Sequence, residues 1–389
     1  MNRPQPPKLF ISTGLSATGE TGVQSHFNYF RDFLAGPGID SEVLTPYESP
    51  TVLRRAAKLI SRFGTYLNSE LGAYLSNRAI SVLLQCRMRS CLPPREPWIV
   101  YAQCPGSALA ALKFRRRADQ RVILIVHFNI SQADEAAERG RIRDRGPCYR
   151  YIQRRETEAL ERVNAVVFCS HFMYREMLSR MPCLAGKTTT VLPNFAPVPQ
   201  RTIDGPGGDV ISIGTLEPRK NQSFLLKVLA EANRMGHRYT LTIVGNGEDR
   251  LALQKTACEL GVASQVVFAG FLPHASRLLW RHRVYAHAAN IENLPITIIE
   301  ALAAGRPVLA PRVGGIPEMI CDSLEGYFWS LSDPVDAARK LITVLDETNV
   351  YGAMQAAAHR RYKSQFAPQV VAPSLLDFLL HSPASGMSP

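Results

Sequence analysis

One stretch of this chain, residues 284–318, has the pattern of a strand, a loop, a helix, a second strand and a Gly-Gly loop. Its sequence is VYAHAANIENLPITIIEALAAGRPVLAPRVGGIPE. Pro295 suits the first turn of the helix, because its fixed φ fits and its missing N–H would have no partner there. Strands that alternate with helices are typical of parallel sheets covered by helices. The stretch therefore predicts an α/β protein.

The predicted helix carries one charged side chain, Glu300, with apolar neighbours on nearly every side. Those neighbours are Ile296, Ile298, Ile299, Ala301, Leu302 and Ala303. A helix that is apolar all round is normally buried, and a buried carboxylate is unfavourable unless it is hydrogen-bonded. No basic residue lies within one helical turn of Glu300. We therefore expect a ligand that carries hydroxyl groups, and the alternative for Glu300 and Glu292 is a buried ion pair within the fold.

The N-terminal half shows the same alternation, which is typical of a doubly wound α/β domain. We predict strands at residues 9–12, 41–45, 98–102, 122–127, 165–169 and 189–192. A chain of 389 residues is long enough for two domains with separate cores. The proline-rich segment 192–200, followed by DGPGGD, is typical of a linker. We therefore predict one domain at 1–196 and a second at 205–366.

Three motifs follow one another in the C-terminal half. They are GTLEPRKN at 214–221, VGNG at 244–247, and a pair of glutamates separated by seven residues, Glu292 and Glu300, before the turn ALAAGRPV. In this order they resemble the nucleotide-sugar-dependent glycosyltransferases of family 4. The resemblance implies the GT-B fold, in which two Rossmann-like domains with parallel sheets face each other across a cleft. It also implies retaining transfer and a last helix, at 367–381, that crosses back to the N-terminal domain.

The resemblance implies a catalytic set of His127, Arg219, Lys220 and Glu292. Arg219 and Lys220 would bind the donor diphosphate, and Glu292 would bind hydroxyls of the transferred sugar. His127 ends a predicted strand, at the edge where open α/β sheets place ligands, and would hydrogen-bond the donor sugar. The alternative for His127 is a neutral core histidine. The alternative for Arg219 and Lys220 is a pair of solvated surface cations.

The resemblance also implies a donor-binding set. Its members are Gly22, Gly245, Asn246, Gly247, Phe271, Leu272, Leu294, Ile296 and Glu300. Gly22 would let the backbone approach the donor's phosphates or sugar, the loops at 245–247 and 270–272 would flank the base, and Glu300 would bind the ribose. The N–H groups at the start of the helix at Ile296 would carry part of the leaving-group charge. The alternative for the glycines is that they are ordinary turn residues.

The sequence predicts no cofactor and no obligatory metal, because it contains no Asp-Xaa-Asp motif of the kind that holds a metal-bound diphosphate. We expect a nucleotide sugar as the donor. A GDP-mannose-type donor is weakly favoured, because GTLEPRKN is frequent in relatives that use one, and UDP-sugars stay open. The expected acceptor is a glycan or a lipid-linked acceptor in cell-surface polysaccharide biosynthesis. A sugar-nucleotide epimerase is the alternative enzyme, and it would need acid and base carboxylates at the cleft.

Charge is unevenly divided along the chain. Residues 1–200 contain 27 Lys and Arg against 16 Asp and Glu, a formal charge of +11, and the remainder carries +1. This asymmetry indicates an anionic partner, either a membrane surface or nucleic acid. The arginine runs at 115–117 and 139–145 contain no aromatic residues, so we do not expect nucleic acid as a partner. Nucleic-acid binding by the basic N-terminal half is the non-enzymatic alternative.

Residues 52–67 predict a basic amphipathic helix. On a helical wheel the apolar residues share one side and the cations the other; the apolar set is Val52, Ala56, Leu59, Ile60, Phe63 and Leu67, and the basic set is Arg54, Arg55, Lys58 and Arg62. Two interpretations carry equal weight, a core helix with a solvated face and a helix in a membrane interface. The sequence shows no signal peptide and no apolar run that could span a bilayer. We therefore expect a cytoplasmic enzyme, with the anionic membrane surface as a candidate partner.

Overall fold

The computed structural model describes residues 7–383 except for residues 20, 130 and 141. The chain forms two compact units. The first runs as far as Leu192 and resumes at Ala372, and the second is Pro193–Val371. Each unit has a six-stranded parallel sheet and an apolar core of its own. Both units are therefore of the α/β class.

The sheet of the first unit has the strand order β2-β1-β3-β4-β5-β6. Its strands are β1 Lys8–Ser12, β2 Ser41–Leu44, β3 Trp98–Ala102, β4 Gln120–Val126, β5 Ala165–Phe168 and β6 Thr188–Val191. Its helices are α1 Gly22–Ala35, α2 Thr51–Leu67, α3 Ser69–Cys91, α4 Pro105–Leu112, α5 Gln132–Glu138, α6 Pro147–Arg162 and α7 His171–Arg180. Every residue of β4 is buried, as expected for a strand with both faces covered. The six predicted strands are all present, with ends displaced by at most two residues.

The sheet of the second unit has the order β12-β11-β10-β7-β8-β9. Its strands are β7 Gly208–Ile213, β8 Leu241–Val244, β9 Val266–Gly270, β10 His282–Ala286, β11 Val308–Pro311 and β12 Gly326–Trp329. Its helices are α8 Gln222–Arg234, α9 Arg250–Glu259, α10 Ile296–Ala303, α11 Pro334–Asp346 and α12 Thr348–Gln365, and α13 Pro368–His381 runs from this unit into the first. Because β7 and β10 are parallel neighbours, the loops that follow them lie at the same edge of the sheet.

The first part of the predicted linker belongs to the second unit. Asn194 Nδ2 donates to the Leu294 carbonyl over 2.8 Å, and Phe195 is fully buried. The Trp280 indole N–H donates to the Pro199 carbonyl over 2.7 Å. Residues 193–196 therefore group with the second unit, although the sequence boundary placed them in the first domain, because burial and hydrogen bonds hold them there.

The sequence predicted Pro295 in the first turn of α10. In the structure it immediately precedes the helix instead. Its backbone is extended, with φ −68° and ψ 121°. Its carbonyl accepts a hydrogen bond from Ile298 N over 3.1 Å. The first turn of α10 therefore starts at Ile296.

Helices α2 and α3 form a hairpin in the first unit. A Cβ added at Gly72 would lie 2.1 Å from Thr65 Oγ1, and one at Gly64 would lie 2.6 Å from Leu75 Cδ1. The two helices therefore approach each other closely at these glycines. Asn68, between them, caps α3 by accepting a hydrogen bond from the N–H of residue 70.

The apolar side of α2 is not part of the core. Val52 is 77% exposed and Phe63 is 65% exposed, and among the buried residues α2 contributes only Gly64. The interpretation of residues 52–67 as a core helix with a solvated face is therefore wrong. A helical wheel identifies an apolar side but not what covers it, which is why the sequence left this open.

Candidate active site

The loop that follows β10 places Glu292 at the carboxyl edge of the second sheet, where it is 7% exposed. The Gly-Gly turn after β11 holds its backbone. Gly315 N donates to the Glu292 carbonyl over 3.3 Å, and a Cβ added at Gly314 would come within 1.6 Å of that oxygen. Gly314 also has φ +56°, a conformation that glycine adopts without strain. The Gly-Gly loop therefore fixes the backbone of Glu292.

Three basic side chains converge on the Glu292 carboxylate. Lys220 Nζ is ion-paired with Oε1, Arg219 Nη1 lies 3.8 Å from Oε2, and His287 Nε2 lies 3.3 Å from Oε1. Arg219 Nη2 also donates to Glu217 Oε1 over 2.7 Å. The structure thus joins the predicted diphosphate-binding pair and the predicted sugar-binding carboxylate in one cluster. The buried ion pair left open for Glu292 is the arrangement observed.

These contacts set the charge of the cluster. Burial raises the pKa of Glu292, but the Lys220 ammonium, His287 and Arg219 outweigh it and hold that pKa well below its usual range. Burial, together with the charges of Lys220 and Arg219, lowers the pKa of His287, although the contact with Glu292 acts in the opposite direction. Near pH 7 Glu292 is therefore ionised and His287 is neutral.

The two cations are positioned by the backbone that carries them. Pro218–Lys220 forms a single 3-10 turn that ends at Asn221, which has φ +51°. The Arg219 carbonyl accepts from Asn290 N over 2.9 Å, and Asn221 Nδ2 donates to Asn290 Oδ1 over 3.3 Å. The side chains of Arg219 and Lys220 are 16% and 17% exposed. The alternative of solvated surface cations is therefore wrong.

Glu300 lies in α10 and is 8% exposed, so the burial predicted from its apolar neighbours is confirmed. Burial, together with the negative charges of Glu292 and Glu300, raises the pKa of Tyr285. Both carboxylates therefore act on the same phenol. Ile296, the first residue of this helix, and Leu294, two residues before it, are buried as well.

The glycine-rich loop after β8 is held by contacts with the loop after β7. A Cβ added at Gly245 would lie 1.8 Å from the Gly214 carbonyl, and one at Gly247 would lie 2.0 Å from the Leu216 carbonyl. Leu216 N also donates to the carbonyl of Asn246 over 3.0 Å. Close packing of two loops therefore requires these glycines, which supports the turn-residue interpretation. Contact of this loop with a donor stays a prediction.

The loop after β9 lies beside the glycine-rich loop. Gly270 has φ +71°, and its carbonyl accepts from Gly245 N over 2.8 Å. The next residue, Phe271, is 59% exposed, and Leu272 is half-buried. An exposed ring at this edge is available for stacking on a nucleotide base, and that contact also stays a prediction.

In the first unit His127 follows β4 and belongs to a polar cluster. Its Nε2 lies 2.9 Å from Gln103 Oε1, and its Nδ1 lies 3.7 Å from Cys169 Sγ. Its ring packs edge-on against His26, with 4.8 Å between the centroids. Burial, and to a smaller extent His26, lower the pKa of His127 well below its usual value. His127 is therefore neutral, and its predicted contact with the donor sugar is untested.

Gly22 is the first residue of α1, and the ring of His26, one turn further on, packs against His127 at the same edge of the sheet. Thr21 caps the helix in a capping box with Gln24. A Cβ added at Gly22 would meet nothing within 4 Å. Packing within the unit therefore does not require glycine here, in contrast with the loop after β8.

Sequence reasoning missed several residues of these clusters, among them His287 and Gln103. His287 directly follows β10, and Gln103 directly follows β3. The signal that identified His127, a polar residue at the carboxyl end of a parallel strand, applies equally to both. Examination of every predicted strand end would have found them.

Among the described residues no group of three or more His, Cys, Asp or Glu side chains could hold a metal ion. Within the same part of the chain no helix is both long and apolar enough to cross a bilayer.

The cluster around Glu292 combines a carboxylate with two cations. In such a cluster an external anion can take the place of the carboxylate as the partner of the cations.

The two parallel-sheet units have the GT-B fold, in agreement with solved structures. The sequence profile of Glycosyltransferase Family 4 matches residues 21–198, and that of Glycosyl transferases group 1 matches residues 199–361. Together they cover most of the chain. The chain belongs to the glycosyltransferases of family 4.

Two curated relatives illustrate the match. The GDP-mannose-dependent alpha-(1-6)-phosphatidylinositol monomannoside mannosyltransferase of Mycolicibacterium smegmatis is 37% identical over 127 residues, 30% of this chain and 33% of the relative. The lipopolysaccharide core biosynthesis glycosyltransferase LpsE of Rhizobium meliloti is 27% identical over 174 residues, 45% of this chain and 50% of the relative. The chain therefore spans between a third and a half of the length of these relatives.

Solved structures match over almost the whole chain. Sucrose-phosphate synthase from Thermosynechococcus elongatus has a TM-score of 0.75 and 14% identity, covering 96% of this chain and 98% of that protein. Anabaena HepE in complex with UDP and glucose has a TM-score of 0.67 and 16% identity, covering 96% and 99%. At these identities the likeness shows the fold alone.

Proposed function

We propose that the protein is a retaining glycosyltransferase that moves a sugar from a nucleotide-sugar donor to a glycan or lipid-linked acceptor. The observation that carries this proposal is the buried cluster of Lys220 and Arg219 around Glu292. Two preorganised cations at the carboxyl edge of a sheet are suited to a diphosphate whose charge grows as the glycosidic bond breaks.

In the proposed mechanism the donor diphosphate replaces Glu292 as the partner of Lys220 and Arg219. The Glu292 carboxylate then accepts hydrogen bonds from hydroxyls of the transferred sugar, and His127, which is neutral, hydrogen-bonds the same sugar. Glu300 accepts hydrogen bonds from the ribose. The acceptor attacks from the face that the diphosphate leaves, and a diphosphate oxygen takes the acceptor's proton. No protein nucleophile and no obligatory metal are required.

A GDP-mannose-type donor is our first candidate, because the name of the mycobacterial relative specifies GDP-mannose. A UDP-sugar is the second, because neighbouring structures were solved with UDP. The acceptor is proposed to be part of cell-surface polysaccharide assembly, and relatives named for phosphatidylinositol mannoside and lipopolysaccharide core synthesis support this class.

The decisive experiment incubates the full-length protein with GDP-mannose, UDP-glucose, UDP-galactose and UDP-N-acetylglucosamine, and measures the released nucleoside diphosphate. We expect release of GDP, increased by a suitable acceptor, with and without EDTA. Determination of the product's anomeric configuration by NMR tests retention. Failure of every donor, at protein concentrations that suffice for nucleotide binding, would contradict the proposal.

A further inference from the structure

Helix α2 exposes a continuous apolar face, which we call the α2 surface. It consists of Val52, Leu59, Ile60, Phe63, Tyr66 and Leu67, each of which is more than half exposed. Exposed apolar patches with a charged border mark sites of interaction with proteins or membranes. The α2 surface is therefore a candidate docking site.

Four cations lie on α2 outside its apolar face. They are Arg54, Arg55, Lys58 and Arg62, and residues 49–69 contain no Asp or Glu. At 100° per residue Arg55 and Arg62 lie next to the apolar face, and Lys58 and Arg54 lie further round, on the opposite side of the helix. The other edge of the apolar face adjoins the side of α2 that faces α3, where Gly64 is buried against Gly72 and Leu75. The partner must therefore be apolar and anionic at the same time.

The packing of α2 on α3 determines which face is presented. The backbone of Gly72 lies against Thr65, since a Cβ added there would come within 2.7 Å of the Thr65 Cα. Rotation of α2 to hide its apolar face would break this contact. The α2 surface is therefore held outward by the folded hairpin and does not need a membrane in order to form.

We propose that the α2 surface binds an anionic lipid bilayer. The helix, about 25 Å long for 17 residues, lies in the plane of the interface, with its apolar side chains among the acyl chains and its cations among acidic headgroups. Charge favours lipid over a second copy of the chain, because two α2 surfaces in contact would bring two sets of four cations together. The proposed function gives this binding a purpose, access to a lipid-linked acceptor, but vesicle binding does not depend on sugar transfer.

The test is co-sedimentation of the full-length protein with vesicles of phosphatidylcholine alone and of phosphatidylcholine mixed equally with phosphatidylglycerol. We expect binding only to the mixed vesicles, and release at about 1 M salt, where the Debye length has fallen to about 3 Å. Each cation near an anionic surface contributes roughly a fivefold factor in partitioning. The variant Arg54→Glu, Arg55→Glu, Lys58→Glu, Arg62→Glu should therefore bind at least a hundredfold more weakly.

A control variant separates this surface from general positive charge. Arg89→Glu, Arg116→Glu, Arg150→Glu, Arg154→Glu makes the same change in net charge at exposed positions of the same unit, and it should reduce binding by less than tenfold. A second variant, Val52→Ser, Leu59→Ser, Phe63→Ser, keeps every cation and should lose at least tenfold. Equal losses in the α2 charge variant and the control variant would overturn the proposal.

Insertion of the apolar side is tested with Phe63→Trp. We expect brominated lipid in mixed vesicles to quench the fluorescence of Phe63→Trp more than that of the wild type, whose tryptophans lie at 98, 280 and 329. Protein that pellets without extra quenching binds through another face, which contradicts the proposal. A dimer in sedimentation equilibrium that dissociates in the Val52→Ser, Leu59→Ser, Phe63→Ser variant, with no vesicle binding, assigns the surface to a second copy and also overturns it.

The two proposals fail separately. Binding of GDP in solution, measured by calorimetry, should be unchanged in the α2 charge variant. Loss of vesicle binding with intact GDP binding is the expected result for that variant. A wild type that binds GDP but no anionic vesicle removes the membrane inference alone, and one that binds vesicles but no nucleotide removes the proposed function alone.

Discussion

At the scale of single residues, the carboxylate of Glu292 occupies the position between two cations that we propose for the donor diphosphate. Lys220 and Arg219 approach it from the loop after β7, and His287 approaches from the end of β10. An internal anion keeps two buried cations in place when no donor is bound. The same contact makes Glu292 important for stability, since removal of one partner of a buried pair leaves the other charge uncompensated.

The acid dependence of stability tests this contact. The pKa of Glu292 is depressed in the folded protein, so its contribution is present above the unfolded pKa of about 4.3 and is lost as the pH falls towards the folded value. We expect Glu292→Gln to be less stable than the wild type by about 3 to 5 kcal/mol at pH 7, with the gap narrowing below about pH 4. Urea denaturation from pH 7 to pH 2.5 measures both. Glu259→Gln, at an exposed pair with Lys255, is the control, and a gap independent of pH would show that Glu292 contributes by packing alone.

The two cations are predicted to act on the reaction. Lys220→Ala and Arg219→Ala should each lower kcat/KM between about tenfold and a thousandfold, because each removes one preorganised electrostatic contact with the leaving group. Steady-state kinetics with the preferred donor is the measurement. Lys255→Ala, which removes an exposed cation of the same unit, should leave kcat/KM within about twofold. Full activity of both cation variants would exclude them from the site.

At the scale of elements, the glycines of the predicted donor-binding set differ in how much room the fold leaves for a side chain. Gly245 has φ +142° and no room for a Cβ, whereas Gly22 has open space. We expect Gly245→Ala to cost about 2 to 4 kcal/mol through steric overlap and backbone strain. Gly22→Ala should stay within about 1 kcal/mol of the wild type in stability and weaken donor binding instead. Chemical denaturation and calorimetry with GDP measure the two effects; unchanged GDP affinity in Gly22→Ala would remove Gly22 from the donor site.

The elements also show what the sequence could predict. Apolar runs such as residues 122–126 identified the strands to within two residues, because a strand buried on both faces has no other composition. The outward side of α2 could not be predicted, because periodicity does not say what covers a face. A buried ion pair was left open for Glu292, but Lys220 was not identified as its partner, since the contact joins loops 72 residues apart. Family motifs identified both residues, and only the fold showed that they neutralise each other.

At the scale of the whole molecule, the proposed functions are divided between the two units. The second unit carries the Glu292 cluster, Glu300 and the loops that contain Gly245, Gly247 and Gly270. Its net charge is close to zero. The first unit carries most of the net charge and the α2 surface. Most nucleotide contacts should therefore lie in the second unit, and an anionic surface should bind the first.

Hydrogen exchange of the full-length protein tests this division directly. We expect GDP to slow amide exchange in segments 214–221, 244–247 and 287–303, because a bound diphosphate and ribose order the loops that carry their partners. Glu300→Gln should keep the fold and weaken GDP binding by about 1.5 to 3 kcal/mol, the usual scale for a hydrogen bond to a charged group. UDP in place of GDP reports the base preference, since the nucleotide that protects at lower concentration identifies the donor. Mixed phosphatidylcholine and phosphatidylglycerol vesicles should protect residues 51–67 and leave the second unit unchanged. Protection by GDP confined to the first unit, or a GDP affinity that Glu300→Gln does not alter, would contradict the assignment of the donor site.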